Sequence, residues 1–237
     1  MAATDSVAAG VRSAEAGAAD GYFDHVRPEL AELVPADAAR VVDFGCGRGA
    51  LGAHLKRRQG AEVIGVELFD DAAAVAAERL DAVVQADLDA LDALPVEPGS
   101  VDVAVFGDVL EHLRDPHRLL RVTREYLRPS GRIVCSIPNV KHFTVVMPLL
   151  VADRFEYTDA GLLDRTHVHL FTLEEIDAML RETGYTAVSV GATSVGPLPA
   201  PYRAFAELAG RLGADPQETA LRLEAYQYLV VATPAAA

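Results

Sequence analysis

The stretch VVDFGCGRGALG, residues 41–52, constrains the fold more than any other part of the sequence. A short apolar run with one acid leads directly into glycines at positions 45, 47, 49 and 52. Glycine at this density allows a sharp turn and lets a ligand come close to the main chain. A helix that begins after such a turn offers free N–H groups to the ligand. We therefore predict a strand, a ligand-binding turn and a helix.

Strand-like and helix-like runs alternate along most of the chain. We predict strands at Val41–Phe44, Glu62–Glu67, Ala82–Ala86, Val101–Phe106, Gly131–Ile137, Thr186–Gly191 and Tyr226–Thr233. We predict helices at Ala50–Gln59, 70–80, Asp115–Leu127 and Leu173–Glu182, and one or two more within 202–224. Alternation of this kind is typical of a parallel sheet with helices on both faces. The expected fold is a doubly wound, Rossmann-like α/β domain.

The same pattern predicts one domain, residues 21–237, behind a mobile tail of residues 1–20. Within the domain we expect an N-terminal helix at 21–35, a core at 38–137, an insert at 138–171 and a C-terminal part at 172–237. The helix is inferred from the spacing of Phe23, Val26, Leu30 and Leu33, which places them on one helical face. The insert is expected to be irregular because the strand–helix alternation stops there.

The amino-acid composition limits the classes of partner that the protein is expected to bind. The formal net charge of −14 disfavours a nucleic-acid partner, because an acidic protein repels phosphate backbones. No apolar run reaches the length that crosses a bilayer, so we expect no membrane partner. The two cysteines, one in the glycine turn and one in an apolar strand, fit a reduced cytoplasmic protein.

Three acids follow the first three predicted strands. Asp43 lies two residues before the first glycine, Glu67 ends the second strand and Asp87 follows the third. A carboxylate at the end of the second strand can accept the hydroxyl groups of a ribose. A carboxylate beyond the third strand can accept an amine proton of adenine. The three strand ends together outline an adenosine site.

These motifs resemble the class I S-adenosylmethionine-dependent methyltransferases. The resemblance covers about residues 38–190 and rests on VVDFGCGRG, VIGVELF, QADL, DVAVFGDVLEHLRDP and LRPSGRIVCSIPN. It implies a seven-stranded sheet, mostly parallel, with an antiparallel last strand. It also implies S-adenosyl-L-methionine as cofactor and S-adenosyl-L-homocysteine as product.

The resemblance assigns roles at the cofactor site. Gly45, Cys46 and Gly47 would hold the methionine part, with Asp43 beside them. Glu67 with Leu68 would bind the ribose, and Asp87 with Leu88 the adenine. Gly107 and Asp108 would lie beside the reacting methyl. In this family an N-terminal segment often covers the cofactor, so Tyr22 and Arg27 are candidate lid contacts, with a surface role as the alternative.

Methyl transfer to a hydroxyl needs a base near the methyl group. Histidine suits this role near neutral pH, and five of the seven histidines follow the fourth strand. We take His142 and His167, then His112, as candidate catalytic bases. Asn139, Tyr157 and His169 are candidate substrate contacts, because polar loop residues at this end set specificity. His167-Val168-His169 is interpreted as an extended stretch with both imidazoles on one side.

Three alternatives remain open. Asp108, Glu111 and His112, with His167 or His169, could hold a divalent metal, an arrangement similar to that of small-RNA 3′-terminal methyltransferases. The preferred prediction contains no metal. The glycine spacing also allows an NAD-dependent dehydrogenase. A non-catalytic cofactor-binding protein on the same scaffold is the third alternative.

The predicted function is methyl transfer from S-adenosylmethionine to a small or medium-sized acceptor, at oxygen. The segments IPNV and GLLDRTHVHLFT resemble those of bacterial methyltransferases of glycan or secondary metabolism. The expected partner is therefore a small-molecule or glycan acceptor, and a homodimer is left open.

Overall fold

The computed structural model describes residues 26–194 and 196–235, and these form one seven-stranded sheet with helices packed on it. The strands lie side by side in the order β3-β2-β1-β4-β5-β7-β6. Their bounds are β1 Arg40–Phe44, β2 Glu62–Glu67, β3 Ala82–Gln85, β4 Val101–Gly107, β5 Leu127–Pro138, β6 Tyr185–Thr193 and β7 Gln227–Pro234.

Strand direction follows the expected pattern. Strands β1 to β5 pair in parallel, and β7 is antiparallel to both β5 and β6. The predicted mostly parallel, doubly wound sheet with an antiparallel last strand is confirmed. Strand order reverses at β1, because β2 lies on one side of it and β4 on the other. In open α/β sheets ligands bind beyond the carboxyl ends of the strands at such a switch point.

Helices cover both faces of the sheet. They are α1 Pro28–Ala31, α2 Ala50–Gln59, α3 Asp70–Ala77, α4 Pro116–Tyr126, α5 Phe143–Ala152, α6 Leu173–Glu182, α7 Ala200–Gly210 and α8 Pro216–Glu224, with a 3₁₀ turn at Leu110–His112. Neighbouring residues of a strand point to opposite faces. Val42 therefore packs in the cluster with α4 and α6, while Val41 packs with α2 and α3.

Two segments differ from the sequence-based prediction. The N-terminal helix expected at 21–35 covers Pro28–Ala31, and its part at 21–25 lies outside the described residues. Arg27 has a left-handed backbone (φ 53°) and lies just outside the helix, which begins at Pro28. The insert expected to be irregular contains helix α5, which tolerates Pro148 in its interior. No helix among the described residues is long and apolar enough to cross a membrane.

Close packing around Leu80 explains why glycine occupies two positions near the glycine turn. A Cβ on Gly52 in α2 would lie 2.6 Å from Leu80 Cδ2 and 2.8 Å from Val63 Cγ1. A Cβ on Gly65 in β2 would lie 2.5 Å from Cys46 Sγ and 2.7 Å from Leu80 Cδ1. Helix α2 therefore approaches β2 only because neither position carries a side chain. This contact sets the position of the helix that follows the turn.

We predict that Gly52→Ala destabilises the protein by about 1–3 kcal/mol, since overpacking outweighs the better helix propensity of alanine. Thermal unfolding should show a midpoint several degrees below that of wild type. Gly191→Ala is the matched control, because a Cβ there would meet Leu229 only at 3.9 Å. An unchanged midpoint for Gly52→Ala would contradict the packing argument.

Candidate active site

The glycine turn lies against the end of β2. The N–H groups of Gly45 and Cys46 both donate to the carbonyl oxygen of Val66, with N···O distances of 2.8 and 3.1 Å. Gly45 has a positive φ of 66°, and a Cβ there would lie 2.7 Å from Val109 Cγ2. Both facts require glycine at this position. The turn thus joins the carboxyl ends of β1, β2 and β4.

Glu67 fastens this turn from the end of β2. Its Oε2 accepts the Gly47 N–H at 2.8 Å, and its Oε1 accepts the N–H groups of Leu68 and Phe69 at 2.9 and 3.0 Å. The residue is 5% exposed. A carboxylate has about four acceptor positions, so the described residues occupy three and leave one on Oε2 for a ligand hydroxyl.

Asp43 is a second buried carboxylate at the same edge, 4% exposed. Burial raises the pKa of Asp43 to about 7, and the negative charge of Glu67 adds to this shift. Desolvation disfavours the charged form of an acid, so folding holds a proton on this group that the unfolded chain releases. The carboxyl end of β1 therefore carries, beside the glycine turn, a buried acid whose ionisation lowers the stability of the folded protein.

The third strand-end acid lies at the rim. Asp87 is exposed, and its Oδ1 accepts the N–H of Asp89 at 2.9 Å. Leu88 packs against the core, whereas Leu68 is 44% exposed beside Glu67. An exposed leucine between two acids offers an apolar surface to a flat ring. The rim beyond β2 and β3 therefore combines an exposed apolar side chain with an exposed carboxylate.

Asp108 is bound by a network that sequence reasoning missed. Its backbone is left-handed (φ 56°), and its carboxylate accepts from Ser136 Oγ at 2.7 Å, Gln227 Nε2 at 2.8 Å and the Arg27 guanidinium. Arg27 also donates to Ser136 Oγ at 3.1 Å. Ser136 is the one hydroxyl in the apolar run IVCSIP, which was the available sequence signal.

The segment that carries Arg27 covers the end of β4. The Leu30 side chain is fully buried, and its Cδ1 lies 3.0 Å from the position of a Cβ on Gly107. Arg27 is therefore a contact at this edge, and its role as a cofactor lid stays a prediction. Tyr22 lies outside the described residues. The Arg27–Asp108 ion pair ties the chain before β1 to the end of β4.

Two of the candidate bases meet beyond β4. The rings of His112 and His167 lie edge to face with centroids 4.8 Å apart, next to the buried Glu111. Burial lowers the pKa of both histidines. Burial also raises the pKa of Glu111 well above its ordinary value, and the charge of Asp108 adds to the shift. The geometry brings these three residues together, while Asp108 itself is held by Arg27.

His142 stands in a different environment. It is fully buried, and its Nδ1 lies 2.7 Å from Thr144 Oγ1 and accepts the Thr144 N–H at 3.4 Å as the N-cap of α5. With Nδ1 as acceptor, the proton of the neutral ring lies on Nε2. Burial lowers the pKa of His142 to about 4. In this tautomer neither ring nitrogen can take a proton from the methyl acceptor, because Nδ1 is bonded to Thr144 and Nε2 already carries a proton.

The candidate substrate contacts Asn139 and Tyr157 lie in different environments. Asn139 is fully buried and donates its two amide protons to the carbonyl oxygens of Arg222 and Ala225, at 2.8 and 2.7 Å. It therefore fastens the end of α8 to β5. Tyr157 is 50% exposed and packs edge to face on Phe155.

The His-Val-His stretch is not extended, which corrects the sequence-based interpretation. Val168 N–H and His169 N–H both donate to the Glu111 carbonyl oxygen, at 2.9 and 3.1 Å. In a strand, successive N–H groups point in opposite directions, so this geometry is a turn. His169 Nε2 lies 3.4 Å from the Arg114 carbonyl oxygen, while His167 faces His112.

Comparison with known proteins gives a family match. Residues 18–190 match the family model described as "Methyltransferase domain". A ubiquinone biosynthesis O-methyltransferase of Roseobacter denitrificans is 31% identical over 173 residues, which is 71% of this chain and 67% of that protein.

Solved structures agree in fold. A Burkholderia thailandensis 1,6-didemethyltoxoflavin-N1-methyltransferase, solved with bound 1,6-didemethyltoxoflavin and S-adenosylhomocysteine, superposes with a TM-score of 0.61 at 20% identity. The alignment covers 99% of this chain and 89% of that one. The [4+2]-cyclase SpnF gives a TM-score of 0.59 at 18% identity, over 89% of this chain and 80% of that one. The same fold thus also occurs in a cyclase.

We predict that Asp43→Asn stabilises the protein more at pH 8 than at pH 5. Because the folded-state pKa of about 7 exceeds the ordinary 3.8, the wild type loses stability as pH rises from 3.8 to about 7, and the loss levels off above that value. The difference between variant and wild type should grow by about 2–3 kcal/mol over this range. Thermal unfolding at both pH values measures it.

Asp92→Asn is the control for this experiment, because the Asp92 side chain is 88% exposed. It should leave the pH dependence of unfolding unchanged. If Asp43→Asn showed the same pH dependence as wild type, the account of a buried, protonated Asp43 would be wrong.

Proposed function

Because the chain belongs to the S-adenosylmethionine-dependent methyltransferases, we propose that it transfers the methyl group to an oxygen atom of a small or medium-sized acceptor. The observation that carries this proposal is the strand-end site of Asp43, Glu67 and Asp87 around the glycine turn. Oxygen is favoured as the methylated atom because a relative that aligns over most of this chain is an O-methyltransferase.

S-adenosylmethionine supplies a methyl group that is already electrophilic because it is attached to a sulfonium. Gly45, Cys46 and Gly47 are the proposed contacts of its amino-acid part, supported by the bonds that hold this turn against the end of β2. The free acceptor position on Glu67 Oε2 suits a ribose hydroxyl, and the exposed Asp87 suits the adenine amine. A cationic sulfonium beside Asp43 would favour the charged form of this carboxylate, which burial otherwise disfavours.

Residues at the carboxyl end of β4 fix the geometry of the part of the site where the methyl group is transferred. Asp108 is held from three directions by Arg27, Ser136 and Gln227, so its position varies little. The buried Leu30 above Gly107 keeps water from this edge. Fixed geometry and exclusion of water are the main contributions that a protein can make to this reaction.

His112 and His167 are the proposed groups that receive the acceptor's proton. The pKa of each is lowered by burial, so both rings are neutral at pH 7. In each ring Nδ1 faces a backbone carbonyl oxygen, of Thr166 and Leu162 respectively, at 3.3 Å. A carbonyl only accepts, so Nδ1 carries the proton and Nε2 keeps a free lone pair. His142 has the opposite tautomer and is the weaker candidate.

The acceptor class stays a proposal. A small molecule with an aromatic or sugar hydroxyl fits an O-methyltransferase of this length, and glycan or secondary metabolism remains our prediction for its setting. Asn139, Tyr157 and His169 are still proposed acceptor contacts. Of these, Tyr157 and His169 have side chains that are at least partly exposed. A homodimer also remains a proposal.

The experiment supplies deuterated S-adenosylmethionine and a panel of phenolic, catecholic and sugar hydroxyl acceptors. We expect S-adenosylhomocysteine and a methyl ether in equal amounts, measured by mass spectrometry. His112→Ala or His167→Ala should lower kcat by about 10²-fold or more and leave the affinity for S-adenosylhomocysteine near wild type, because only proton transfer is lost.

His117→Ala is the control, since His117 lies on α4 and pairs with Glu182 at the end of α6. It should keep full activity. Absence of a methylated product from every acceptor, despite tight binding of S-adenosylhomocysteine, would overturn the proposed activity in favour of a binding protein. If both histidine variants kept full activity, neither histidine would be the base, and the protein would act only by positioning the acceptor against the methyl group.

A further inference from the structure

We propose that Tyr226 binds the methyl acceptor, donating a hydrogen bond from its hydroxyl to an oxygen atom next to the one that is methylated. This inference deepens the proposed function and rests on it. Tyr226 directly precedes β7, whose first residue, Gln227, pairs with Pro138 at the end of β5. The Gln227 side chain also donates to Asp108. Tyr226 therefore lies at the edge of the sheet where β4 and β5 end, which is the edge proposed for methyl transfer.

The Tyr226 hydroxyl contacts the main chain of the insert. Its oxygen lies 3.2 Å from the position of a Cβ on Gly161. Burial raises the pKa of Tyr226, the charge of Asp108 adds to this shift, and a hydrogen bond with the Leu162 main chain opposes it. A hydrogen bond lowers the pKa of an acid when it favours the charged form. The Leu162 N–H is therefore the donor, and the Tyr226 oxygen accepts from it.

The proton of the Tyr226 hydroxyl remains available to a ligand. Because its pKa is raised, the hydroxyl stays protonated at neutral pH and can donate. Within the part of the chain that the structure describes, no side chain or carbonyl group accepts this proton. The residue is half-buried, so one side of it meets the space that a ligand or solvent occupies. Tyr226 thus offers one oriented donor at the methyl-transfer edge.

Leu162 places this donor near a proposed base. Its carbonyl oxygen lies 3.3 Å from His167 Nδ1, while its N–H is bonded to Tyr226. The nitrogen and oxygen of one residue are about 3–4 Å apart, so the Tyr226 oxygen and His167 Nδ1 lie within about 10 Å of each other. A single acceptor molecule can therefore contact both side chains, with its reacting hydroxyl at His167 and a second oxygen at Tyr226.

Contacts on the other side of Tyr226 fix its direction. The His142 ring lies edge to face with the Tyr226 ring, with centroids 5.3 Å apart and an interplanar angle of 84°. His142 is fully buried and packs in turn on Phe143, 4.4 Å away. The Tyr226 N–H donates to the Thr193 carbonyl at 2.8 Å, and its carbonyl accepts the Asn139 N–H at 3.0 Å. On this account His142 positions Tyr226 instead of acting as a base.

A fixed donor at this place selects a class of acceptor. It favours molecules that carry an oxygen lone pair beside the methylated hydroxyl, as catechols and vicinal diols do. An acceptor without that oxygen leaves the Tyr226 proton unpaired once water is excluded from the site. Sites that hydrogen-bond one group of a substrate discriminate strongly against analogues that lack it, for this reason. Tyr226 is therefore proposed as a specificity-determining residue.

The test compares catechol with phenol, which lacks the second oxygen. Ligand-observed NMR titration of the full-length protein with bound S-adenosylhomocysteine should show that wild type binds catechol about tenfold or more tightly than phenol. Tyr226→Phe should bind phenol as wild type does and lose the preference for catechol. Tyr202→Phe is the matched control, because it removes a hydroxyl from α7, where Tyr202 packs on Phe143. It should keep the preference.

A purely structural role of Tyr226 gives a different result. If the hydroxyl only held the insert, Tyr226→Phe would weaken the binding of both acceptors by the same factor, and this result would overturn the proposal. The thermal midpoint of Tyr226→Phe and its affinity for S-adenosylhomocysteine should stay near wild type, because phenylalanine keeps the ring. Equal binding of catechol and phenol by wild type would also overturn the proposal, whether or not the variant folds.

Turnover with S-adenosylmethionine separates this inference from the proposed function. The ratio of kcat/KM for catechol to kcat/KM for phenol should fall about tenfold or more in Tyr226→Phe, through a higher KM for catechol. Preferential binding of catechol without any methylated product would support the Tyr226 contact and overturn the proposed function. Methylation of both acceptors with equal kcat/KM by wild type would support the proposed function and overturn the Tyr226 contact.

Discussion

The site depends on one carboxylate. Glu67 accepts three backbone N–H groups, and through Gly47 it holds the glycine turn of β1 against the end of β2. Without these bonds the turn would lose its anchor, and the ends of β1, β2 and β4 would no longer enclose one ligand space. Hydrogen bonds to a charged acceptor are among the stronger ones in proteins, which suits this role.

Buried acids at one edge carry a cost in stability. Asp43, Glu67 and Glu111 are each at most 5% exposed, although the whole chain already carries a formal charge of −14. Glu67 is compensated by backbone N–H groups, whereas burial raises the pKa of Asp43 and Glu111. Strongly shifted pKa values concentrate at functional sites. The two uncompensated acids therefore mark this edge of the sheet as a candidate functional site.

Much of the fold and of the candidate cofactor site was predictable from local sequence. The apolar strands, the glycine turn and the strand-end acids follow from short patterns, and the parallel sheet brings those acids to one edge. The Arg27–Asp108 pair was not predictable, since 81 residues separate the partners and no periodicity links them. Helix α5 was missed because the strand–helix alternation stops after β5 and the insert was expected to be irregular. The turn at His167 was missed because the His-Val-His alternation suggested an extended stretch.

The most direct test of the central claim is titration calorimetry with S-adenosylhomocysteine on wild type and Glu67→Gln. We expect one binding site per wild-type chain, at least tenfold weaker binding by the variant, and no binding of NADH. The amide has one fewer acceptor for the turn and for a ribose hydroxyl. Tight binding of NADH with no affinity for S-adenosylhomocysteine would contradict the account.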